Sequence, residues 1–355
     1  MHVTYNMRRS TQKGGKCWQG SHGDVCTIDE IKTSKKDESN TDLFVHHHDG
    51  TVEKWNVHDF IKQFKDEIVF KKFKLLFKRD AIAARNLAIQ HELEGLRLIL
   101  ASGASLENTI IHEIYQYFTL TGQAEDSNKL LAYKRVSQGT LLDYVHKGRV
   151  PRRQLSRELH KGLKDLEKLL NGLHLQSVYH NDIKMANILV GENDTCFLAD
   201  YGSVTNVPLT CNGSKEYSSP ICFIKRKIER EKDKDPEEEF TSRMQRLGIF
   251  DDLTIKVMFI FYNYHANLLF KDSSPLFLAV LTVLNDKFSL YACFCHAFRL
   301  LNTADGEDHA FKILTEKIVP IEQVRGIMTS LGTEDKKVVN KWLKTYDPAP
   351  PFDPY

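Results

Sequence analysis

The stretch of the chain that most constrains its fold is SVYHNDIKMANILVGENDTCFLADYGSV, residues 177–204. Its apolar runs SVYH, NILV and CFLAD have the length and composition of short buried strands. Four polar side chains stand between and after these runs in a fixed order, namely Asp182, Lys184, Asn187 and Asp200. A fold that buries the apolar runs holds these side chains on a rigid framework. The stretch therefore predicts a built polar site rather than an ordinary surface turn.

These residue types are the ones that phosphoryl transfer from ATP requires. The reaction needs a carboxylate to orient the attacking hydroxyl, oxygen ligands for Mg²⁺, and a cation to offset charge on the phosphoryl group. Asp182 can accept the hydroxyl proton, and Lys184 can reach the transferred phosphate. Asn187 and Asp200 can bind the metal, and Gly202 lets the chain turn sharply after that ligand.

The composition indicates a protein with a sizeable core and no strong overall charge. The 355 residues are 41% hydrophobic and 10% aromatic, enough for one large domain with two lobes or for two ordinary domains. A net charge of +2 gives no argument for nucleic acid or membrane partners. The seven cysteines show no framework spacing, and the first residues lack the apolar core of a secretory signal. We therefore expect reduced thiols and a cytoplasmic or nuclear location.

The remaining patterns predict a small sheet followed by helices. Residues 1 to about 60 alternate apolar runs with turn residues, and Asp49-Gly50 is a strong hairpin signal. Residues 57–100 show helical spacing, whereas NTIIHEIYQYF and KLLAYKRV are typical of strands. A long helix is predicted by a leucine stripe at positions 159, 163, 166, 170 and 173.

Three later segments carry weaker signals. The charge-dense KRKIEREKDKDPEEEF (225–240) predicts an exposed loop. The apolar SPLFLAVLTVL (274–284) is too short to span a bilayer and predicts a buried helix. The Pro-rich YDPAPPFDPY (346–355) predicts an irregular tail.

The polar loop resembles that of the protein kinase superfamily, H-x-D-x-K-x-x-N followed by D-[FY]-G. Within that superfamily, YHNDIKMANILV and LADYG are most similar to the casein-kinase-1 group and, inside it, to the vaccinia-related kinases. NGSKEYSS (212–219) resembles their substrate-side segment, in which Ser214 replaces a threonine. DDL (251–253) resembles the opening of their central buried helix, which would make Asp252 the residue that braces the catalytic loop.

The resemblance implies an α+β, two-lobed protein-kinase-like fold with a small antiparallel β-sheet N-lobe and a mainly helical C-lobe. The lobes would be residues 1–133, including the αC-type helix and a helical insertion, and residues 134–345, followed by a Pro-rich tail at 346–355. It also implies ATP and Mg²⁺ as cofactors and a protein substrate with a Ser or Thr acceptor. We expect a monomer that uses neither membrane nor nucleic acid.

A kinase also needs a strand lysine for the α- and β-phosphates, paired with a glutamate on a helix. The resemblance puts that lysine at Lys54, in TVEKW after the hairpin turn. The glutamate is Glu67 if FKDEIVFKKF is the matching helix, or Glu92 if HELEGLRLIL is. Both alternatives remain open from the sequence.

The phosphate-covering loop is the least complete motif. WQGSHGDVC retains Gly20, Ser21, Gly23 and Val25 of G-x-G-S-x-G-x-V, but Trp18 stands at the first glycine. This placement requires a long insertion before Lys54, and the competing segment TSKKDESNTDL has no glycine. The backbone from Lys134 to Val136 is expected to form the hinge that binds adenine.

Regulation and activity leave alternatives. Asn181 precedes Asp182 where many kinases have an arginine that grips a phosphorylated activation loop, so control by loop phosphorylation is not expected. Because the glycine loop is incomplete, a pseudokinase that acts as a scaffold remains an alternative function. A small-molecule phosphotransferase is disfavoured by Lys184 and NGSKEYSS, since both serve a protein acceptor.

Overall fold

The computed structural model describes residues 17–19, 23–28, 42–73, 81–120, 129–147, 152–192, 195–211, 214–230, 235–270 and 274–346. These residues form an α+β structure with an antiparallel sheet on the N-terminal side and helices on the C-terminal side. The architecture is compatible with a kinase-like fold without being specific to it. The last residues of the predicted Pro-rich tail lie outside the described part of the chain.

The large sheet has seven strands in the order β1-β2-β5-β7-β6-β3-β4, and every pairing is antiparallel. The strands are β1 (Cys17–Gln19), β2 (Gly23–Thr27), β3 (Asp42–His47), β4 (Val52–Asn56), β5 (Ile68–Phe73), β6 (Tyr115–Leu120) and β7 (Leu130–Lys134). The predicted hairpin is confirmed, because β3 pairs with β4 across a turn in which Gly50 has φ of +89°.

Along the chain, the hairpin β3–β4 and helix α1 (Val57–Phe64) come between β2 and β5. In the sheet, however, β2 and β5 are direct neighbours. The chain leaves β2, adds the hairpin beyond β6 at the other side of the sheet, and returns to pair β5 with β2. An aromatic cluster seats α1 on the sheet, with the Phe60 ring 5.5 Å from Trp55 and 5.2 Å from Phe118. This arrangement is a structural insertion ahead of β5.

The predicted helix over 57–100 is wrong in its middle. Residues Ile68–Phe73 form strand β5, and the helix resumes only as α2 (Ala81–Ala101). Ile68 and Val69 are β-branched and precede Phe70, a combination that favours a strand buried on both faces. Their spacing from Phe60 and Phe64 imitates a helical stripe, but α1 ends at Phe64.

The C-terminal side begins with a small sheet and a long helix. Strands β8 (Gly139–Thr140), β9 (Ile188–Val190) and β10 (Cys196–Leu198) form an antiparallel sheet in the order β10-β9-β8. Helix α3 (Leu141–Lys147) is followed by α4 (Arg152–Leu175), as the leucine stripe predicts. All five leucines of the stripe are buried.

The charged segment predicted as a loop is partly helical. Helix α5 (Pro220–Arg230) and helix α6 (Pro236–Leu247) occupy most of it. The Asp235 side chain caps α6 by accepting from the backbone N–H of Glu237, and Phe240 and Met244 are buried. The charges cover the solvent side of an amphipathic helix, which a reading of charge density alone misses.

The remaining helices are α7 (Asp252–Phe270), α8 (Pro275–Leu301), α9 (Ala304–Ile313), α10 (Ile321–Ile327) and α11 (Thr333–Tyr346). Among the described residues, α8 is the one helix long and apolar enough to cross a membrane by length and composition. A buried core helix meets the same criteria, and most of α8 from Leu281 onward is buried. Its first turns are not, since Leu276 and Val280 are exposed.

Cys26, Cys211 and Cys222 depart from the expectation of reduced thiols, because each is disulfide-bonded. Cys211 and Cys222 form a disulfide with Cα atoms 5.6 Å apart. The bridge joins the segment before Ser214 to the first turn of α5. Cys196, Cys293 and Cys295 are buried and take part in no disulfide.

Candidate active site

The polar loop between α4 and β9 is held in place by the carboxylate of Asp286. Asp286 in α8 accepts hydrogen bonds from the backbone N–H groups of His180 and Asn181, each at 2.8 Å. Its Oδ2 atom also lies 3.1 Å from Nε2 of His174 at the end of α4. Asp286 is only 1% exposed, so these contacts are made in a low-dielectric interior. They fix the backbone immediately before Asp182.

This bracing residue differs from the one expected. Asp252 begins α7 as predicted, but it is exposed and accepts a hydrogen bond from Gln245 instead of from the loop. The sequence contains a signal for the correct residue. A single carboxylate in the apolar run VLNDKFSLYACF must be buried, and a buried charge requires several hydrogen-bond donors.

Asp182, Lys184 and Ser214 form a compact group at the end of the loop. The Nζ atom of Lys184 lies 2.9 Å from Oδ2 of Asp182 and 2.8 Å from Oγ of Ser214. The backbone N–H of Ser214 donates to Oδ1 of Asp182 at 2.5 Å. A carboxylate that accepts from both sides is held in one rotamer and stays an acceptor. The group joins the loop to the predicted substrate-side segment.

The segment that carries Ser214 is tied to α5. Lys225 donates to the backbone oxygen of Leu209, and Arg226 donates to the backbone oxygen of Cys211 at 2.5 Å. The Cys211–Cys222 disulfide crosses the same junction. Three links therefore hold this segment against α5.

Asn187 sits on the other side of Asp182. Its Nδ2 atom donates to the backbone oxygen of Asp182 at 2.8 Å and to Oδ2 of the same residue at 3.2 Å. The backbone oxygen of Asn187 accepts from the N–H of Ala199 at 2.8 Å. That bond places Asn187 next to the residue preceding Asp200.

Asp200 faces the sheet through a buried ion-pair network. Nζ of Lys71, on β5, lies 2.8 Å from Oδ1 of Asp200 and 2.8 Å from Oε2 of Glu92, on α2. Asp200 has φ of +65°, a left-handed conformation that is uncommon for a residue other than glycine. Such strain at a polar residue is typical of functional sites.

The network shifts the pKa values of its members. Burial acts to lower the pKa of Lys71, but Asp200 and Glu92 outweigh it and raise that pKa above its usual value. Burial acts to raise the pKa of Asp200, but Lys71 outweighs it and the net pKa is lowered. Lys184 also lowers the Asp200 pKa, so the two ends of the site share one electrostatic environment. Burial lowers the pKa of His180, which is therefore neutral near pH 7.

Helix α2 packs tightly against the turn after Asp200. The Tyr201 hydroxyl is buried, donates to the backbone oxygen of Leu198 at 2.5 Å and accepts from the N–H of Ile110 at 2.9 Å. A Cβ atom added at Gly95 in α2 would lie 2.1 Å from the backbone oxygen of Tyr201. The helix can approach this closely only because residue 95 lacks a side chain.

The structure corrects the placement of the strand lysine. Lys54 lies on the edge strand β4, is 61% exposed and pairs with Asp42 at 2.8 Å. Glu67 precedes β5 and uses its backbone oxygen to accept from Arg135, whereas Glu92 is buried beside Lys71. The hairpin insertion moves the lysine strand later in the chain, so the first lysine after the turn is not the one in the site.

Two residues of the predicted glycine loop lie on β2, the strand that pairs with the lysine strand β5. Gly20 and Ser21 lie outside the described residues, while Gly23 begins β2. Val25 on β2 is the register partner of Lys71 on β5. The β3–β4 hairpin and α1 separate β2 from Lys71 along the chain, and the placement of the glycine loop itself stays a prediction.

The predicted hinge lies where β7 leaves the sheet. The backbone N–H of Lys134 donates to the backbone oxygen of Ile110 at 2.8 Å. The backbone N–H of Arg135 donates to the backbone oxygen of Glu67 at 2.7 Å. The Lys134 side chain pairs with Glu113 at 3.4 Å. Val136 follows directly and is half-buried.

The donor set suits a hard cation held partly by a nucleotide. Within the described ranges, no group of three or more His, Cys, Asp or Glu residues could hold a metal ion. Asp200 and Asn187 offer carboxylate and amide oxygens, and the Asn187 nitrogen is already engaged by Asp182. Mg²⁺ is commonly bound by one or two such oxygens together with phosphates and water. The residues present therefore fit Mg²⁺ delivered with a nucleoside triphosphate.

Comparison with known proteins gives two partial likenesses to kinases. A serine/threonine-protein kinase 1 from Heliothis zea nuclear polyhedrosis virus is 30% identical over 106 residues, covering 29% of this chain and 38% of the viral protein. An Arabidopsis thaliana LEAF RUST 10 disease-resistance locus receptor-like protein kinase-like 1.4 is 36% identical over 75 residues, covering 21% of this chain and 11% of that protein. No family model matches the chain.

The chain thus spans little more than a third of the viral relative and about a tenth of the plant one. Both relatives are named as protein kinases, which supports the protein kinase superfamily at a coarse level.

Proposed function

We propose that this chain is a protein kinase that transfers the γ-phosphate of ATP to a Ser or Thr hydroxyl of a protein substrate. The observation that carries the proposal is the geometry of Lys71. Its Nζ atom lies 2.8 Å from both Glu92 and Asp200, while Asp182 and Lys184 stand paired at 2.9 Å in the adjoining loop. The likenesses to named kinases support the same reading.

Asp182 is the proposed acceptor for the substrate hydroxyl proton. Its carboxylate is oriented by Ser214, Lys184 and Asn187, so little reorganisation is needed when a hydroxyl approaches. Lys184, which bridges Asp182 and Ser214, would neutralise charge that develops on the transferred phosphoryl group. The Ser214 contact favours a protein Ser or Thr acceptor over a small molecule.

Lys71 is the proposed ligand of the α- and β-phosphates, with Glu92 holding it in place. Asp200 and Asn187 would hold Mg²⁺, which supplies charge neutralisation on the phosphates when it is bound. The backbone at Lys134–Val136 would contact adenine, and Val136 offers the N–H group because those of Lys134 and Arg135 already donate within the protein. Gly20, Ser21, Gly23 and Val25 would cover the phosphates.

We further propose a division into lobes near residue 133, with residues 134–345 as the catalytic lobe. The loop motifs favour an affinity with the casein-kinase-1 group and its vaccinia-related kinases. We propose that the protein is not controlled by phosphorylation of its activation segment. Asn181 has φ of +61° and donates from its amide to the backbone oxygens of Tyr179 and Ser203, both at 3.4 Å, so a neutral side chain already tethers the start of that segment.

The test is radiolabelled phosphate transfer from ATP to a protein or peptide library, with sugars and aminoglycosides as competing acceptors. Wild type should label protein Ser or Thr, and Asp182→Asn should lose transfer while still binding Mg-ATP. Asp200→Ala should lose both. Equal turnover by wild type and Asp182→Asn would overturn the proposed role of this loop.

A second candidate is a pseudokinase that binds partners without catalysis. Trp18 at the position of the first glycine motivates it, because weaker cover over the phosphates impairs their positioning. Thermal unfolding with millimolar Mg-ATP separates the candidates. Stabilisation together with transfer supports the kinase, and no stabilisation supports the scaffold.

A further inference from the structure

A tyrosine at the end of β7 reaches across the interior to the glutamate of the ion-pair network. The Tyr133 hydroxyl donates to Oε1 of Glu92 at 2.6 Å. Tyr133 is 2% exposed and Glu92 is also 2% exposed, so the bond is fully inside the protein. Burial raises the pKa of Tyr133 well above its usual value, which keeps the hydroxyl protonated as a donor.

The two carboxylate oxygens of Glu92 accept hydrogen bonds from different groups. Oε2 accepts from Nζ of Lys71 at 2.8 Å. Oε1 accepts from Tyr133 and, at 3.2 Å, from the backbone N–H of Tyr201. Three structural elements, namely β5, β7 and the turn after Asp200, therefore converge on one side chain of α2.

This arrangement matters most when a nucleotide is bound. Lys71 pairs with both Glu92 and Asp200. If Asp200 binds a metal ion, as proposed above, less of its carboxylate would be available to the lysine. Glu92 would then be the main group orienting Lys71. A free glutamate can rotate about three bonds, whereas the Tyr133 side chain is rigid and anchored in the sheet.

We propose that Tyr133 is a positioning residue, whose hydroxyl holds the Glu92 carboxylate so that Oε2 stays on Lys71 and the lysine stays aimed at the nucleotide phosphates. The proposal rests on the proposed function and extends it to a residue that does not itself touch phosphate. It predicts that a phenylalanine of the same size cannot replace Tyr133, because it lacks the hydroxyl.

The chain contains a matched pair for comparison. The Tyr291 hydroxyl donates to Oε1 of Glu167 at the same distance of 2.6 Å, and Tyr291 is buried at 4% exposure. Glu167 lies on α4 and also pairs with Lys317, at 3.1 Å, far along the chain from the phosphate-binding strands. Tyr133→Phe and Tyr291→Phe therefore delete the same kind of hydrogen bond, one inside the network and one outside it.

The experiment measures kcat, the KM for ATP, the KM for a protein substrate and the Kd for Mg-ATP in both variants. For Tyr133→Phe we expect kcat/KM for ATP to fall about tenfold and the Mg-ATP Kd to rise by a similar factor, the scale of one hydrogen bond to a charged group. The KM for the protein substrate should not change. Tyr291→Phe should lose a comparable amount of thermal stability but keep all nucleotide parameters.

A double-mutant cycle with Glu92→Gln adds a readout that a purely structural role would not move. If Tyr133 acts through Glu92, its substitution should have little further effect on Mg-ATP binding in the Glu92→Gln background. Additive effects would overturn the proposal, as would wild-type nucleotide parameters in Tyr133→Phe or an equal loss in Tyr291→Phe.

The binding readout separates the two levels of the argument. If wild type binds Mg-ATP but transfers no phosphate, the proposed catalysis fails and the Kd comparison alone decides the role of Tyr133. If wild type does not bind Mg-ATP, both proposals are overturned.

Discussion

Asp286 accepts a 2.8 Å hydrogen bond from the backbone N–H of His180, so a helix far along the chain fixes the start of the polar loop that carries Asp182. Asp286→Asn should lower the free energy of unfolding by about 3 kcal/mol and reduce kcat at least tenfold, because one charged acceptor becomes an amide facing buried N–H groups. Chemical denaturation and steady-state kinetics measure the two effects.

Asp252→Asn is the control for that substitution. Asp252 is exposed, and we expect a change within about 0.5 kcal/mol, as for ordinary surface substitutions. A larger loss of activity in Asp252→Asn than in Asp286→Asn would restore Asp252 as the bracing residue.

Replacement of Lys71 by methionine should abolish most phosphate transfer. Removing a positioned cation from a reacting site costs roughly 10²–10³ in kcat. Lys54→Met removes an exposed lysine that pairs with Asp42, and such surface pairs contribute about 0–1 kcal/mol. Transfer assays on both variants decide between the lysines, since equal losses would contradict the assignment.

Gly95→Ala should separate α2 from the turn after Asp200. The new Cβ would lie 2.1 Å from the backbone oxygen of Tyr201, so the helix must shift and carry Glu92 with it. We expect a loss of about 1–3 kcal/mol of stability, typical of overpacking, together with a lower kcat/KM for ATP. Thermal unfolding and kinetics give both values.

Gly326→Ala is the matched substitution in α10, where an added Cβ meets nothing within 4 Å. It should be neutral or stabilising by up to about 1 kcal/mol, because alanine is the better helix former. Full activity in Gly95→Ala would show that the close approach of α2 is not needed.

Acid should destabilise the protein through His296. Burial, with a smaller contribution from His146, lowers the pKa of His296 to about 4, and its Nδ1 atom lies 2.7 Å from the Tyr217 hydroxyl. An unfolded histidine titrates near pH 6.5, so between pH 6.5 and 4 the unfolded state binds the extra proton. Stability therefore falls as the pH falls through that window, by up to about 1.4 kcal/mol per pH unit for this group.

His296→Gln keeps an acceptor for Tyr217 but cannot take up a proton, so denaturation curves from pH 7 to 4 should be less steep in pH than those of wild type. His58→Gln, at an exposed position on α1, controls for loss of an imidazole. An unchanged pH slope in His296→Gln would contradict the prediction.

The Cys211–Cys222 bridge should stabilise the substrate-side segment. Removing a disulfide that closes a short loop typically costs about 2–3 kcal/mol. Under oxidising conditions the double variant Cys211→Ser/Cys222→Ser should therefore unfold earlier than wild type. After reduction the two proteins should unfold alike; a difference that persists would assign the effect to the serines and not to the bridge.

The loop from Asp182 to Asp200 could be predicted from sequence because its chemistry is local. Each polar residue there is flanked by apolar runs that carry it, and the strands β9 and β10 formed as expected. Lys71 could not be located in the same way. Its strand IVFKKF follows α1 so closely that the apolar spacing continues through both elements.

The partners of the loop come from distant sequence. Glu92 meets Lys71 only when α2 is laid against the sheet, and Asp286 meets His180 only when α8 is packed under α4. Tyr133 had no motif, and its role depends on which face of β7 meets α2. Periodicity identifies the elements, but it does not say which of their polar residues will share a buried space.

The detour of the chain through β3, β4 and α1 affects how the molecule assembles. Val25 and Lys71 are neighbours across a ladder, yet the whole edge hairpin separates them along the backbone. Bringing β2 and β5 together closes a long loop, which costs conformational entropy before the hydrogen bonds between these strands can form. We therefore expect the pairing of β2 with β5 to form late in folding, on strands that have already docked.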